Sequence, residues 1–226
     1  ADSVRRLVLT ASGGPFRERD PASFASITVD EALRHPTWNM GPKVTIDSAT
    51  MMNKGLEVIE AHHLFDVPYS GIDVVIHPTS IVHSFVEFVD GAVVAQLGIP
   101  DMRVPIALAI ADGMRLPGIA PPVSLAEVTP LEFFEVDPRR FPAVALARSA
   151  GESAGVAPAA LNAANEVAVA AFLAHAIGYD MIVSVVAETV HAAPAVSSPS
   201  LADIIETDAW ARRFASTCLD AVGSAP

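Results

Sequence analysis

The chain has 226 residues, of which 51% are hydrophobic and 18% are charged. This composition supplies enough apolar side chains for one large domain or two small ones and excludes an intrinsically disordered chain. The formal net charge of -12 argues against a nucleic-acid surface and against binding to anionic membranes, because both need concentrated Lys and Arg side chains. An anionic ligand must therefore be held by a local cluster of donors.

The single cysteine, Cys218, excludes an internal disulfide and a cysteine-based zinc site. We therefore expect a reducing, cytoplasmic setting. The most apolar run, residues 167–177, is too short to span a bilayer. The first residues do not form a signal peptide and include no initiator Met, so we expect the chain to be part of a longer polypeptide.

The first predicted element is a short buried strand at residues 5–10, followed by two glycines at 13–14. Paired glycines after a strand allow the backbone to approach a ligand closely, and Ser12 would add a hydroxyl; an ordinary tight turn is the alternative. Residues 20–34 predict a short helical segment capped by Thr28. No glycine-rich nucleotide-binding pattern occurs in the sequence.

Residues 35–42 (HPTWNMGP) contain two prolines, one glycine and no periodicity, which predicts a loop. Its large apolar side chains, Trp38 and Met40, either tuck into the core or belong to a mobile lid that excludes water over a bound ligand. If the loop is such a lid, His35 would contact the bound anionic ligand. A strand at residues 43–46 is predicted to follow.

The stretch DSATMMNKGLEVIEA, residues 47–61, is predicted to form one helix that begins with a cap at Asp47 or Ser48. Free amides and the positive end of the helix dipole make such an N-terminus suitable for a phosphate. Gly55 lies in mid-helix, where glycine costs about 1 kcal/mol relative to alanine. We therefore expect a packing or close-approach reason for this glycine.

Three polar side chains share one stripe of this helix. Asn53 and Glu57 are four residues apart on one face, and Lys54 lies on its flank. Lys54 would supply a point charge to a phosphate, and Glu57 would hold a divalent cation beside it. The alternative is a surface helix with an ordinary ion pair between Lys54 and Glu57.

A buried strand is predicted at residues 72–77, and a hairpin with an Asp-Gly turn is predicted at residues 85–97. Ser80 and His83 lie just after the first of these strands. Strand ends often carry catalytic side chains, which makes both residues candidates, although a histidine near a strand is more often structural. A helix is predicted at residues 100–111.

The predicted fold is an α+β catalytic domain with a small mixed sheet at residues 1–111, followed by a C-terminal all-α helical bundle at residues 138–226. Between them, residues 112–137 carry several prolines and little periodicity, which is typical of a linker. The four bundle helices are predicted near residues 141–150, 158–177, 180–193 and 201–222. In the bundle, Asn162, Asn165 and Glu166 are at helical spacing, which favours an interhelical hydrogen-bond network or a solvated face.

Six stretches together resemble one enzyme family. They are LTASGGPF at 9–16, HPTWNMG at 35–41, DSATMMNKGLE at 47–57, HPTSIVH at 77–83, QLGIPDM at 96–102 and LNAANE at 161–166. In this order they are similar to 1-deoxy-D-xylulose 5-phosphate reductoisomerase, an NADPH- and metal-dependent enzyme of the non-mevalonate isoprenoid pathway. The resemblance covers nearly the whole chain.

The resemblance implies a role for each matching residue. The phosphorylated sugar substrate would be held, chiefly by its phosphate, by Ser12, His35, Ser48, Asn53, Lys54 and Glu57. The catalytic residues at the reacting end would be Glu57, Ser80 and His83, and Glu57 would also ligate a divalent Mg, Mn or Co ion. The flexible lid would contain Trp38 and Met40. The contacts with NADPH would come from Gly41 and Met102.

The resemblance also implies the reaction. The metal would stabilise charge during rearrangement of the carbon skeleton, and NADPH would reduce the resulting aldehyde to 2-C-methyl-D-erythritol 4-phosphate. In the family a dinucleotide-binding domain and two further carboxylate ligands precede the matching region, and neither is in this sequence. We therefore expect this chain alone neither to bind metal tightly nor to turn over. A homodimer is a further expectation from the family.

Two other interpretations stay open. The chain could be a non-catalytic remnant of the enzyme that binds phosphate or serves as a scaffold. It could also be a stand-alone metal-dependent sugar-phosphate isomerase or aldolase. Binding of Mn²⁺ with a phosphosugar would separate the last interpretation from the others.

Overall fold

The computed structural model describes residues 3–35, 40–128 and 130–223. The strands are β1 Val4–Ala11, β2 Ile72–Ile76, β3 Val82–Phe88, β4 Val93–Leu97 and β5 Phe134–Glu135. The helices of the first part are α1 Val29–Ala32, α2 Pro42–Thr50, α3 Met52–Phe65 and α4 Arg103–Ile110. The helices of the second part are α5 Pro142–Ser153, α6 Ala157–Leu173, α7 Met181–His191 and α8 Leu201–Gly223. Short 3-10 helices occur at Pro21–Ser26 and Tyr69–Gly71.

The five strands form one mixed sheet in the order β4-β3-β1-β2-β5, which confirms the predicted small mixed sheet. Only the β1–β2 pair is parallel, and the other three pairs are antiparallel. The hairpin between β3 and β4 turns at Gly91, whose φ of 86° is readily adopted by glycine. The carboxyl ends of β1 and β2 therefore lie at the same end of the sheet, where the loops that carry Ser12 and Ser80 begin.

The predicted strand at residues 43–46 is wrong, and the helix predicted at residues 47–61 is two helices. Pro42 lies in the first turn of α2, where its missing N–H costs no hydrogen bond. Met51 adopts a left-handed conformation with φ of 60°, which ends α2 and begins α3. Asp47 and Ser48 therefore lie in the second half of α2 and cap no helix start.

Both parts of the chain contribute side chains to one core, in which α3 packs on α5. A Cβ placed on Gly55 would lie 2.6 Å from the Cβ of Ala147 and 3.2 Å from the carbonyl oxygen of Ala143. The mid-helix glycine thus allows two helices to pack closely, as predicted. The division into residues 1–111, 112–137 and 138–226 stays a prediction.

The four C-terminal helices are present near the predicted positions. Asn162 donates a 3.2 Å hydrogen bond to Glu166 in α6, and Glu166 pairs at 2.7 Å with Arg212 in α8. The polar stripe is therefore an interhelical network, as predicted. Across the part of the chain that the structure describes, no helix combines the length and the apolar character needed to cross a membrane.

Candidate functional site

A cavity of about 1260 Å³ lies at the end of the sheet where strands β1 and β2 finish. Most of the predicted site residues line it: Ser12, His35, Met40, Ser48, Asn53, Lys54, Glu57, Ser80, His83 and Met102. Gly41 is the cap residue of α2 and does not line the cavity. Trp38 lies outside the described residues. The structure thus brings the candidates together, while the role of each stays a prediction.

His35 joins the two serines on one side of the cavity. Its Nε2 lies 3.2 Å from the Oγ of Ser12 and 3.0 Å from the Oγ of Ser48. The backbone N–H of Gly14 donates to the Oγ of Ser12 at 3.2 Å. Burial lowers the pKa of His35 below its ordinary value. Two hydroxyls and one imidazole from three separate segments therefore converge on one point.

The glycine turn after β1 packs against α2. Gly14 has a φ of +62°, and a Cβ at this position would lie 2.9 Å from the carbonyl oxygen of Ser48 and from the Cα of Ala49. A larger residue would push the turn away from α2 and separate the two serine hydroxyls. The close backbone approach inferred from the paired glycines is thus an approach to a neighbouring helix.

The first turn of α3 supplies the other polar group of the cavity. Asn53 Nδ2 donates to Glu57 Oε1 at 2.7 Å, and Lys54 Nζ lies 2.5 Å from Glu57 Oε2. The Lys54–Glu57 ion pair therefore exists, but it lines a cavity and Lys54 retains only 12% side-chain exposure. At the start of α3 the N-cap residue Met51 offers no side-chain hydrogen bond, and the backbone N–H of Met52 donates to the Oγ1 of Thr50 at 3.2 Å.

A second group of polar side chains comes from the loop after β2 and from strands β3 and β4. Ser80 has a φ of 53°, an uncommon conformation for a residue with a side chain. His83 Nδ1 lies 2.8 Å from Gln96 Oε1, and Gln96 Nε2 donates to the carbonyl of Leu97 at 3.2 Å. Gln96 was missed at the sequence level because only the β3–β4 pairing places it beside His83. His83 Nε2 is buried and has no hydrogen-bond partner among the described residues.

The proline-rich segment contributes an apolar wall to the cavity. Leu116, Ile119, Pro121 and Val123 line it, and Arg115 is at its rim. Since these side chains come from residues 112–137, this stretch does more than connect the α+β part to the helical bundle. Its sequence gave no periodicity from which the wall could be predicted.

The metal-ligating capacity of the described residues is small. They contain no group of three His, Cys, Asp or Glu side chains that could hold a metal ion. In the cavity, Glu57 is engaged by Asn53 and Lys54, and Asp101 is paired with Arg103. Magnesium prefers octahedral oxygen ligation with firm anchors, so the described residues do not form such a site by themselves.

Two family models match the chain. The model described as the DXP reductoisomerase C-terminal domain matches residues 97–214. The model described as the 1-deoxy-D-xylulose 5-phosphate reductoisomerase C-terminal domain matches residues 1–65. The first alone covers more than half of the chain.

Curated relatives agree with these models. The 1-deoxy-D-xylulose 5-phosphate reductoisomerase of Pelotomaculum thermopropionicum is 56% identical over 93% of this chain and 54% of its own length. The protein of the same name from Paraburkholderia phymatum is 53% identical over 96% of this chain and 54% of its own length. The chain thus spans about half the length of the curated relatives it matches.

Solved structures show the same fold. A DOX-P reductoisomerase in complex with NADPH, fosmidomycin and magnesium superposes with a TM-score of 0.92 and 41% identity, over 99% of this chain and 57% of that one. The Zymomonas mobilis 1-deoxy-D-xylulose 5-phosphate reductoisomerase in complex with NADPH gives a TM-score of 0.89 and 44% identity. The match covers 97% of this chain and 56% of that one. Together with the family models, these likenesses show that the chain belongs to the 1-deoxy-D-xylulose 5-phosphate reductoisomerase family.

Proposed function

We propose that this chain forms the substrate-binding part of an NADPH-dependent reductoisomerase that converts 1-deoxy-D-xylulose 5-phosphate to 2-C-methyl-D-erythritol 4-phosphate. The observation that carries the proposal is the convergence of Ser12, His35 and Ser48 on one side of a cavity that Asn53 and Lys54 line from α3. In a chain of net charge -12, such a local group of donors suits an anion that the overall charge would repel.

The donor set suits the phosphate of the sugar. Hydroxyls and an amide supply directed hydrogen bonds, and the Lys54 ammonium supplies charge. Because Lys54 is paired with Glu57 in the structure, an entering phosphate would compete with that carboxylate for the ammonium. Substrate binding would therefore loosen Glu57 from Lys54 at the moment when Glu57 has to face the sugar oxygens.

The solved relatives hold NADPH and magnesium, and this chain would contribute only part of each site. Glu57 would be its metal ligand, and Gly41 and Met102 would contact NADPH, which supplies hydride when bound. Since Glu57 alone is a poor Mg²⁺ site, the chain by itself would bind metal weakly and would not turn over. Isothermal titration with Mn²⁺ and an NADPH-oxidation assay of the isolated chain test this, and turnover would contradict it.

Other side chains of the cavity would act on the reacting end of the sugar. Ser80 and His83, which follow β2, would hydrogen-bond its hydroxyl oxygens. Trp38 and Met40 would form the lid, which would exclude water once the phosphate is held. A reducing cytoplasm suits a chain whose only thiol is Cys218.

Homodimerisation is also part of the proposal. Strand β4 lies at an edge of the sheet, and three of its apolar side chains are exposed: Val93, Val94 and Leu97. An exposed apolar edge strand is a ready surface for pairing with another chain. Sedimentation equilibrium tests the dimer, and Val94→Lys should shift it towards monomer.

A pair of substitutions in a full-length reductoisomerase polypeptide carrying this sequence tests the main proposal. Lys54→Ala should raise KM for the sugar phosphate by about tenfold or more and lower kcat less, because the phosphate is remote from the reacting carbon. Glu57→Gln should abolish turnover while the protein stays folded. Arg139→Ala, which removes one charge from a side chain that is 89% exposed, is the control.

The outcome of that comparison separates the candidate functions. If Glu57→Gln mainly raised KM and Lys54→Ala mainly lowered kcat, the assignment would be wrong. If the unmodified full-length protein bound sugar phosphate without oxidising NADPH, a non-catalytic phosphate-binding role would replace it.

A further inference from the structure

Helix α2 carries a buried carboxylate whose two oxygens are both engaged. Asp47 is only 1% exposed. Its Oδ2 lies 2.6 Å from the Nζ of Lys43 one turn earlier, and its Oδ1 accepts a 2.8 Å hydrogen bond from the Nδ2 of Asn165 in α6. The amide therefore links the C-terminal helices to the helix that presents Ser48 to the cavity.

Asn165 makes this contact at a cost. It is fully buried, and its Oδ1 has no hydrogen-bond partner among the described residues. The opposite amide orientation would turn that oxygen towards the Asp47 carboxylate, so that two acceptors faced each other. A buried polar atom without a partner is unfavourable, but an apolar side chain of similar size would instead leave the buried Asp47 oxygen without its donor. The amide therefore fixes the direction in which Asp47 is held.

The same end of α2 is held at two further points. The Tyr179 hydroxyl donates to the carbonyl of Ala49 at 2.7 Å, and burial raises the pKa of Tyr179, which keeps it a neutral donor. The Gly14 turn packs closely against the Ser48 carbonyl. Of these three contacts from outside the helix, only the Asn165–Asp47 bond is made to a side chain of α2, at the position just before Ser48.

We propose that Asn165 is a positioning residue for the anion-binding end of the cavity: by fixing Asp47, it sets the rotation of α2 that places the Ser48 hydroxyl beside His35 and Ser12. The inference rests on the proposed function, because it assumes that these three residues bind the phosphate. Asn165 itself does not line the cavity, so it would act on the phosphate only through α2.

Titration calorimetry with inorganic phosphate tests this inference on the chain. Asn165→Leu removes the amide and keeps the approximate side-chain volume. Asn162→Leu is the matched control, since Asn162 lies one turn earlier in α6 and bonds to Glu166 instead of α2. The exchange variant Asp47→Asn with Asn165→Asp restores an amide–carboxylate contact with its partners reversed. The unfolding midpoint of each variant is measured in parallel.

We expect Asn165→Leu to weaken phosphate binding by about tenfold and Asn162→Leu to change it less than about twofold. The single variant Asn165→Asp is measured as well, and the exchange variant should recover part of the affinity that it loses. In the full-length polypeptide, the loss should appear in KM for the sugar phosphate more than in kcat. A general loss of stability would not raise KM more than it lowers kcat, and it would not be reversed in the exchange variant.

Three results would overturn the inference. If Asn165→Leu bound phosphate as tightly as Asn162→Leu while Lys54→Ala weakened binding, the positioning role would be wrong and the proposed function would stand. If the unmodified chain bound no phosphate, both the positioning role and the proposed function would be wrong. If Asn165→Leu and the exchange variant both unfolded while Asn162→Leu stayed folded, the role of Asn165 would be structural only.

Discussion

Gly55 in α3 lies so close to Ala147 in α5 that a Cβ on Gly55 would be 2.6 Å from the Cβ of Ala147. This contact brings together the helix that carries Asn53, Lys54 and Glu57 and the first helix of the C-terminal part. Since α3 begins at the cavity, its position relative to the sheet depends on that packing. The orientation of the polar side chains therefore depends on a residue that has no side chain.

Gly55→Ala should destabilise the protein. Alanine is the better helix former by about 1 kcal/mol, but the added methyl group overpacks the interface, which typically costs about 1–3 kcal/mol. We expect a net loss of about 1 kcal/mol in the free energy of unfolding, measured by urea denaturation. The double variant Gly55→Ala with Ala147→Gly should recover part of it. A stabilised single variant would show that the helices can separate freely.

His35 should make stability depend on pH. Burial lowers its pKa, so between that value and its ordinary value near 6.5 the unfolded chain binds a proton that the folded protein does not. The free energy of unfolding should therefore rise with pH across this window and fall as the pH decreases below about 6.5. His35→Asn should flatten the dependence between pH 5 and 7.

The control for that experiment is His63→Asn, which removes a histidine on the exposed side of α3. Unfolding free energies of the parent chain and both variants are compared at each pH. If the two variants showed the same pH dependence, the half-buried imidazole between Ser12 and Ser48 would not be the group responsible.

The His83–Gln96 pair should fix one tautomer of His83. Because Gln96 Nε2 donates to the Leu97 carbonyl, its Oε1 faces His83 Nδ1, which must then carry the proton. Long-range ¹H–¹⁵N spectra of the neutral imidazole should show Nδ1 protonated. Gln96→Leu should release this preference, with the other histidines as internal references. A protonated Nε2 in the neutral ring of the parent chain would contradict the arrangement.

The elements that the sequence predicted well are those with local signals. The helix cap at Thr28, the Asp-Gly hairpin turn and the apolar run of β2 each depend on neighbours in sequence. The C-terminal helices followed from their composition. Most candidate site residues also lie together at one cavity. Residue pattern and spacing singled out most of them, including Ser12, His35, Lys54 and Glu57, and the family resemblance added Met102.

The elements that were mispredicted depend on tertiary packing. Residues Val44, Thr45 and Ile46 are β-branched and favour a strand, yet Thr45 and Ile46 are buried on a helical face. The break at Met51 needs a left-handed methionine, which no propensity predicts. Gln96 contacts His83, and Asn165 contacts Asp47, each in another helix or strand. Local residue spacing does not indicate which distant residues come into contact.

The most direct test of the whole account is a calorimetric titration of inorganic phosphate into the chain, its Lys54→Ala variant and the Arg139→Ala control. We predict saturable binding to the parent chain and to Arg139→Ala, with an affinity at least about tenfold weaker for Lys54→Ala, because a buried ammonium is worth more than an exposed charge. Equal affinities for the three proteins, or no binding to the parent, would contradict the assignment of the cavity as a phosphate site.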